Sequence, residues 1–313
     1  MTENDGQWER GLIERLAGAA LQEQRRARRW GIFFKLLTFA YLTVIILMLV
    51  DWQSRGTPDG KHTALVEVSG LIAPGNDASA ERVSASLQAA FKDKNTQGVV
   101  VRINSPGGSP VQSHAIYEEM RRLRKQYPAI PLYAVVEDVC ASGGYYVAAG
   151  ADRIYVGRSS IIGSIGVRMD SFGVTGLMDK LGVERRLITA GENKGFLDPF
   201  LPVDEKQKRH AEQLLEDVHQ QFIAAVREGR GERLKETPDL FSGLVWTGSQ
   251  GLTLGLADAF GSVDSVAREV IKAERVVDFS QKENVAERLA RRFGAGVASA
   301  ILEVAQRAAL SPR

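Results

Sequence analysis

The chain has 313 residues, 25% charged and 44% hydrophobic, with 40 lysines and arginines against 38 aspartates and glutamates, a formal charge of +2. So even a balance, with its one basic cluster explained by topology below, carries no nucleic-acid signature. The single cysteine, Cys140, excludes an intrachain disulfide, and at the end of an apolar strand it reads as a small buried hydrophobe.

Residues 1–30 form a polar leader ending in the basic run Arg25-Arg-Ala-Arg-Arg29. Residues 31–50 (GIFFKLLTFAYLTVIILMLV) carry one charge, Lys35. At ~1.5 Å per residue they span ~30 Å, the thickness of a bilayer core, and predict one transmembrane helix. Lys35 can snorkel to the headgroups, and Trp30 and Trp52 bracket the segment as interfacial anchors. The arginine cluster predicts a cytoplasmic N-terminus and export of everything after Val50. A cleaved signal peptide and a buried helix of a soluble core are the competing readings. The long leader, the absence of a small-x-small pattern at Asp51-Trp52-Gln53 and the paired tryptophans favour an uncleaved anchor. Residues 51–61 are polar and rich in turn formers, a short linker.

From residue 62 to 280 strands and helices alternate. Strands are predicted over 64–68, 98–103, 132–136 and 153–156; helices are predicted over 80–91, over 110–126 with Pro110 in the first turn, and after Ser142. This order predicts an α/β fold of stacked βαβ units with sites at the carboxyl ends of parallel strands. Beyond it, 184–189 reads as a strand leading into a loop with Lys194. Residues 204–228 read as a long helix with an apolar stripe from Ala211 to Val226, ended by Gly229.

Three small-residue segments carry the chemistry. Ser142 is followed by Gly143 and Gly144 where a strand gives way to a helix, which exposes its Oγ beside free backbone N–H groups. Asn104-Ser-Pro-Gly-Gly-Ser109 follows an apolar strand, and its glycines suit either a tight turn or an anion cradle. Together, Gly107 or Gly108 with Gly143 describe a two-donor oxyanion hole. Ile161-Ile-Gly-Ser-Ile-Gly-Val167 reads as a core strand; alternatively Gly163, Ile165 and Gly166 offer an edge to an extended peptide, and Ser164 can orient a lysine amine. No G-x-S-x-G, H-E-x-x-H or P-loop motif is present. Of the four histidines, His62 follows the linker and His210 and His219 lie in a polar helix. His114 remains the rival to Lys194 as base for Ser142.

These segments, in this order and spacing, closely resemble the signal peptide peptidase A (protease IV) family, short bacterial form, within the wider Clp and crotonase superfamily. The resemblance rests on N-S-P-G-G-S, A-S-G-G-Y-Y-V-A, G-S-I-G-V, the later lysine and Thr247-Gly-x-x-Gly-x-x-x-Gly-Leu-x-Asp258, over residues 62–280. It implies a Clp/crotonase-like peptidase domain with Ser142 as nucleophile, Lys194 as general base, Ser164 as its orienter, and Gly107 or Gly108 with Gly143 as oxyanion hole. It also implies degradation of cleaved signal peptides at the bacterial inner membrane, with the catalytic domain on the extracytoplasmic side. A homo-oligomeric ring in which one site draws Ser and Lys from neighbouring chains is implied as well, and no cofactor or metal.

A lysine acts as a base only when neutral, and the ordinary lysine pKa of ~10.4 must fall for that at neutral pH, which desolvation in a closed groove can bring about. Two other functions use the same features: an acyl-CoA enzyme of the crotonase type, and a catalytically silent membrane scaffold. The tail, 281–313, reads as an amphipathic helix on a neighbour or on the membrane surface. Its run Gly294-Ala-Gly-Val-Ala-Ser-Ala300 also resembles a substrate able to enter the groove.

Overall fold

The computed structural model describes residue 18, residues 23–44 and residues 60–281. The chain divides into two compact units, residues 57–282 on the one hand and residues 1–56 with 283–313 on the other. In the latter, residues 23–44 are helical (α1). Thr38 and Thr43 donate their hydroxyls to the Phe34 and Phe39 carbonyls one turn back, at 2.9 and 2.8 Å, which satisfies both hydroxyls inside an apolar stretch. Among the described residues no helix is long and apolar enough to cross a membrane. The expected span 31–50 runs outside them from residue 45, as do most of the leader, nearly all of the linker and the tail from 282.

The unit 57–282 is built on one sheet. Its strands are β1 (His62–Ser69), β2 (Thr96–Ser105), β3 (Leu132–Ala141), β4 (Arg153–Val156), β5 (Ile161–Gly163), β6 (Val245–Thr247), β7 (Ala259–Phe260) and β8 (Val276–Asp278). The main path runs β6-β5-β3-β2-β1-β8, with β4 between β3 and β7. Every pairing is parallel except β5 with β6. The helices are α2 (Ala80–Lys92), α3 (Pro110–Gln126), α4 (Gly143–Ala148), α5 (Thr175–Leu181), α6 (Glu205–Arg230), α7 (Gly248–Thr253) and α8 (Val263–Ser265), the last continuing as a π-helical turn through Ile271.

Parallel strands buried on both faces read as continuous apolar runs, and GVVVRI in β2 is such a run. Val99, Val101 and Ile103 enter the larger core with α2, α3, α4 and α6, while Val100 joins Leu65, Val135, Tyr155 and Val266 on the opposite face. The helix starts have local causes. Ser109 accepts the Gln112 N–H at 3.4 Å with Pro110 behind it, and Asp204 accepts the Lys206 and Gln207 N–H groups at 2.8 and 3.0 Å.

Three expectations are corrected. Strand β3 runs five residues past Val136, because a register shift against β2 kinks it between Val136 and Cys140. Asn104 holds the kink, donating to Asp138 at 3.1 Å and accepting the Val139 N–H at 3.3 Å. Before the kink β3 pairs with β4, after it with β5. Residues 184–189 form no strand; they are exposed and irregular and pair with no strand of the sheet. Helix α6 runs through Gly229 to Arg230 and stops at Gly231, whose φ is +54°. Gly229 serves close packing instead, since a Cβ there would lie 2.0 Å from the Ala149 carbonyl oxygen.

Candidate active site

The kink in β3 aims the strand's end at Ser142. This residue has φ 52° and ψ −124°, a left-handed conformation that a side chain rarely adopts and that costs ~1–3 kcal/mol. It is held on both sides: its N–H donates to the Gly163 carbonyl at 2.8 Å and its carbonyl accepts the Tyr146 N–H at 3.0 Å. Ser142 is half-buried, whereas all of α4 behind it is buried. A serine on a sharp strand-to-helix turn is the geometry of a nucleophile elbow, reached here without the G-x-S-x-G pattern.

The turn after β2 closes against this elbow. Gly107 and Gly108 have φ +98° and +153°, and Ile72 clamps them by donating to the Gly107 carbonyl at 2.9 Å and accepting from Ser109 N–H at 2.8 Å. The approach leaves no room for side chains: a Cβ on Gly107 would lie 2.8 Å from Ser142 Cβ and 2.7 Å from the Gly143 nitrogen. A Cβ on Gly143 would lie 3.2 Å from the Gly108 nitrogen. The Gly107 N–H is already donated to Ser105 Oγ at 3.1 Å. Gly108 and Gly143 N–H donate to no group among the described residues, so these are the two donors left free beside Ser142.

Strand β5 forms the other wall. Expected as a possible free edge, it is paired on one side with β3 and on the other with β6, so Ile161–Gly163 has no edge to offer within this chain. Beyond it, Ser164 has φ 51° and donates its N–H to the Leu244 carbonyl at 2.7 Å. Ile165 is fully buried, and Gly166 lies so close to Gly243 that a Cβ would sit 3.0 Å from its Cα. Ser142 and Ser164 are two of only four described non-glycine residues with positive φ, and one hydrogen bond through Gly163 links their strand ends.

Lys194 stands apart. It lies in an exposed turn, its N–H donating to the Gly191 carbonyl at 3.1 Å, and no hydrogen bond joins it to Ser142 or Ser164 among the described residues. Glu192 points outward to Lys206 Nζ at 3.2 Å. The surrounding segment presents Phe172, Leu181, Ile188 and Val203 to solvent, with Ile188 at 96% exposure. The rival base, His114, is turned to Tyr146, whose hydroxyl lies 2.9 Å from its Nδ1, and it stacks on Tyr117. The Tyr146 ring is itself stacked on Phe222 with centroids 4.8 Å apart, which fixes the pair.

His62 is fully buried beside Gly60 and Thr96, His210 meets Phe196 edge-on, and His219 sets Nε2 3.1 Å from the Ile165 carbonyl. That last contact is invisible to helix periodicity, which shows a face but not the neighbour across it. Burial pushes the Cys140 thiol far up, so it is no nucleophile. No group of three His, Cys, Asp or Glu side chains gathers as a metal site among the described residues.

The sequence model described as Peptidase family S49 matches residues 124–277, and that described as Clp protease matches residues 67–158. The Na(+)/H(+) antiporter NhaA of Brucella abortus (strain 2308) is 46% identical over 183 residues, which are 58% of this chain and 25% of that protein. A Synechocystis sp. protein named as a protease, slr0021, is 31% identical over 206 residues, covering 66% of this chain and 72% of its own. An Enterococcus faecium protein named as a signal peptide peptidase, SppA, is 30% identical over 192 residues, 61% of this chain and 55% of that one. The chain thus spans a quarter of the antiporter and about half of the SppA-named protein. With an S49 match over residues 124–277 and a protease-named relative covered over more than two thirds of its length, the chain belongs to peptidase family S49.

Proposed function

We propose that this chain is a membrane-anchored serine endopeptidase that degrades cleaved signal peptides and similar apolar, unfolded peptides. The observation that carries the reading is the strained Ser142 elbow with the Gly108 and Gly143 N–H groups free beside it. Ser142 Oγ attacks a peptide carbonyl, and the oxyanion that develops is held by those two donors. Lys194 takes the Ser142 proton and passes it to the leaving amine; the same amine then activates the water that releases the acyl group from Ser142. Ser164 orients the amine. Gly166 flanks the extended substrate, and the buried Gly163 and Ile165 support that wall from behind, with strand addition confined to the backbone from Gly166 on.

In one chain Lys194 is exposed, with no hydrogen bond to Ser142 or Ser164 among the described residues. We place it in the groove of a neighbouring copy, as in a ring, where the exposed apolar side chains around it would also be covered. The anchor at 31–50 would hold the catalytic unit at the extracytoplasmic face of a bacterial inner membrane. The substrate class draws on the name of the Enterococcus relative. The exposed position of Lys194 is also the one observation that favours a catalytically silent scaffold. The two separate on mixing: Ser142→Ala and Lys194→Ala proteins, each inactive on a synthetic signal peptide, regain hydrolysis when co-assembled if sites are shared. Wild type that leaves the peptide intact would establish the scaffold.

A further inference from the structure

The segment that follows β5 is fixed at three successive residues. Gly163 gives its carbonyl to the Ser142 N–H, Ser164 gives its N–H to the Leu244 carbonyl, and Ile165 gives its carbonyl to His219 Nε2 at 3.1 Å. A carbonyl only accepts, so Nε2 carries the hydrogen whatever the state of the ring, and Nδ1 has no partner among the described residues. Helix α6 brings His219 there from a distant part of the chain, anchored by buried Ala211, Phe222, Ile223 and Val226. Ile165 is fully buried, so without the imidazole its carbonyl would be a buried acceptor lacking a side-chain partner. The least costly relief is rotation of the peptide joining Ile165 to Gly166, and that rotation displaces Ile165, to which Ser164 is bonded. Ser164, with φ 51°, holds its conformation only while its neighbours fix it.

We propose that His219 is a positioning residue for the peptidase reaction: its Nε2–H locks the Ile165 carbonyl and thereby sets the Ser164 hydroxyl. This rests on the serine peptidase reading above and deepens it.

The test is the acylation rate of the full-length protein by a fluorophosphonate, read by intact mass, for wild type, His219→Leu, His219→Gln, Ser164→Ala and the His219→Leu/Ser164→Ala double variant, with thermal melts alongside. Glutamine offers an amide N–H near the position of Nε2. The expected result is a loss of ~10-fold or more in His219→Leu, rates within ~3-fold of wild type in His219→Gln, and a double variant no slower than Ser164→Ala alone, since both act through one residue. Wild-type rates in His219→Leu, a His219→Gln as slow as His219→Leu, or effects that multiply in the double variant would each overturn the proposal. Failure of wild type to react at all would sink the serine reading first, and is distinguished from the other outcomes because it needs no variant.

Discussion

Alanine at the two donor glycines should fail for different reasons, and only one failure should be repairable. A Cβ on Gly108 would stand 2.1 Å from the Ile72 carbonyl oxygen and 2.8 Å from its carbon, both main-chain atoms of the clamp. Ordinary contact requires the two backbones to part by about 1 Å, which moves the Gly108 N–H off the oxyanion. Losing one such donor costs ~10²–10³ in kcat, so Gly108→Ala should drop by at least ~10²-fold, or ~2.7 kcal/mol of transition-state stabilisation. A Cβ on Gly143 would instead meet Ser113 Oγ at 2.4 Å, with Ser113 Cβ at 3.4 Å and Gly108 N at 3.2 Å. Removing that hydroxyl leaves contacts that yield by a few tenths of an ångström. Gly143→Ala should therefore lose a comparable factor, and the Gly143→Ala/Ser113→Ala double variant should recover to within ~10-fold of Ser113→Ala alone. The assay is single-turnover acylation of folded protein, with the melting curve as a check on integrity. Gly108→Ala within ~3-fold of wild type, or a double variant no better than Gly143→Ala, would refute this placement of the donors.

The buried pair behind the site makes a stability prediction. Arg230, 1% exposed, donates twice to Asp258 at 2.8 and 2.9 Å and once to the Gly255 carbonyl at 2.8 Å. Arg230→Met removes the bidentate partner of a buried carboxylate, leaving it Arg233 at 3.2 Å and the Ile154 N–H at 2.7 Å, and should cost ~3 kcal/mol, roughly 6–12 °C in Tm for a unit of this size. Burial alone would raise the Asp258 carboxyl, but the Arg230 bonds, the Ile154 N–H and Arg233 hold it below the ordinary range. A depressed carboxyl stabilises above its unfolded value of ~3.9 and loses that contribution as pH falls through the folded value, so acid unfolding curves of wild type should steepen below pH ~4 and those of Arg230→Met should steepen less. A lysine base works only when neutral, so kcat/KM should still climb with pH above ~7.5; a rise through ~6.5 that is flat thereafter would mark a histidine.

Much of the fold was legible because it is local. The 110–126 helix announced both its ends, and the apolar β2 run could only be a doubly buried strand. What escaped depends on distant partners. Residues 184–189 have a strand-like composition but pair with no strand of the sheet, and composition does not say whether a partner strand is at hand. Gly229 reads as a helix stop until Ala149 is seen against it. At the site, the three glycine-bearing segments do meet around Ser142. The left-handed backbone of Ser142 is held by main-chain bonds to Gly163 and Tyr146, and no spacing in the sequence encodes it. Lys194 shows the opposite limit: the family resemblance pairs it with Ser142, and in one chain it lies in an exposed turn with no hydrogen bond to Ser142 among the described residues.

The most direct measurement is site-resolved labelling by a serine-directed acylating probe of the full-length protein, as wild type, Ser142→Ala, Lys194→Ala and His114→Ala. Wild type should carry one adduct, mapped by peptide mass to Ser142; Ser142→Ala should carry none; Lys194→Ala should react at least ~10³-fold more slowly and His114→Ala at nearly the wild-type rate. An adduct on another residue, or His114→Ala as inert as Ser142→Ala, would contradict the Ser142–Lys194 assignment.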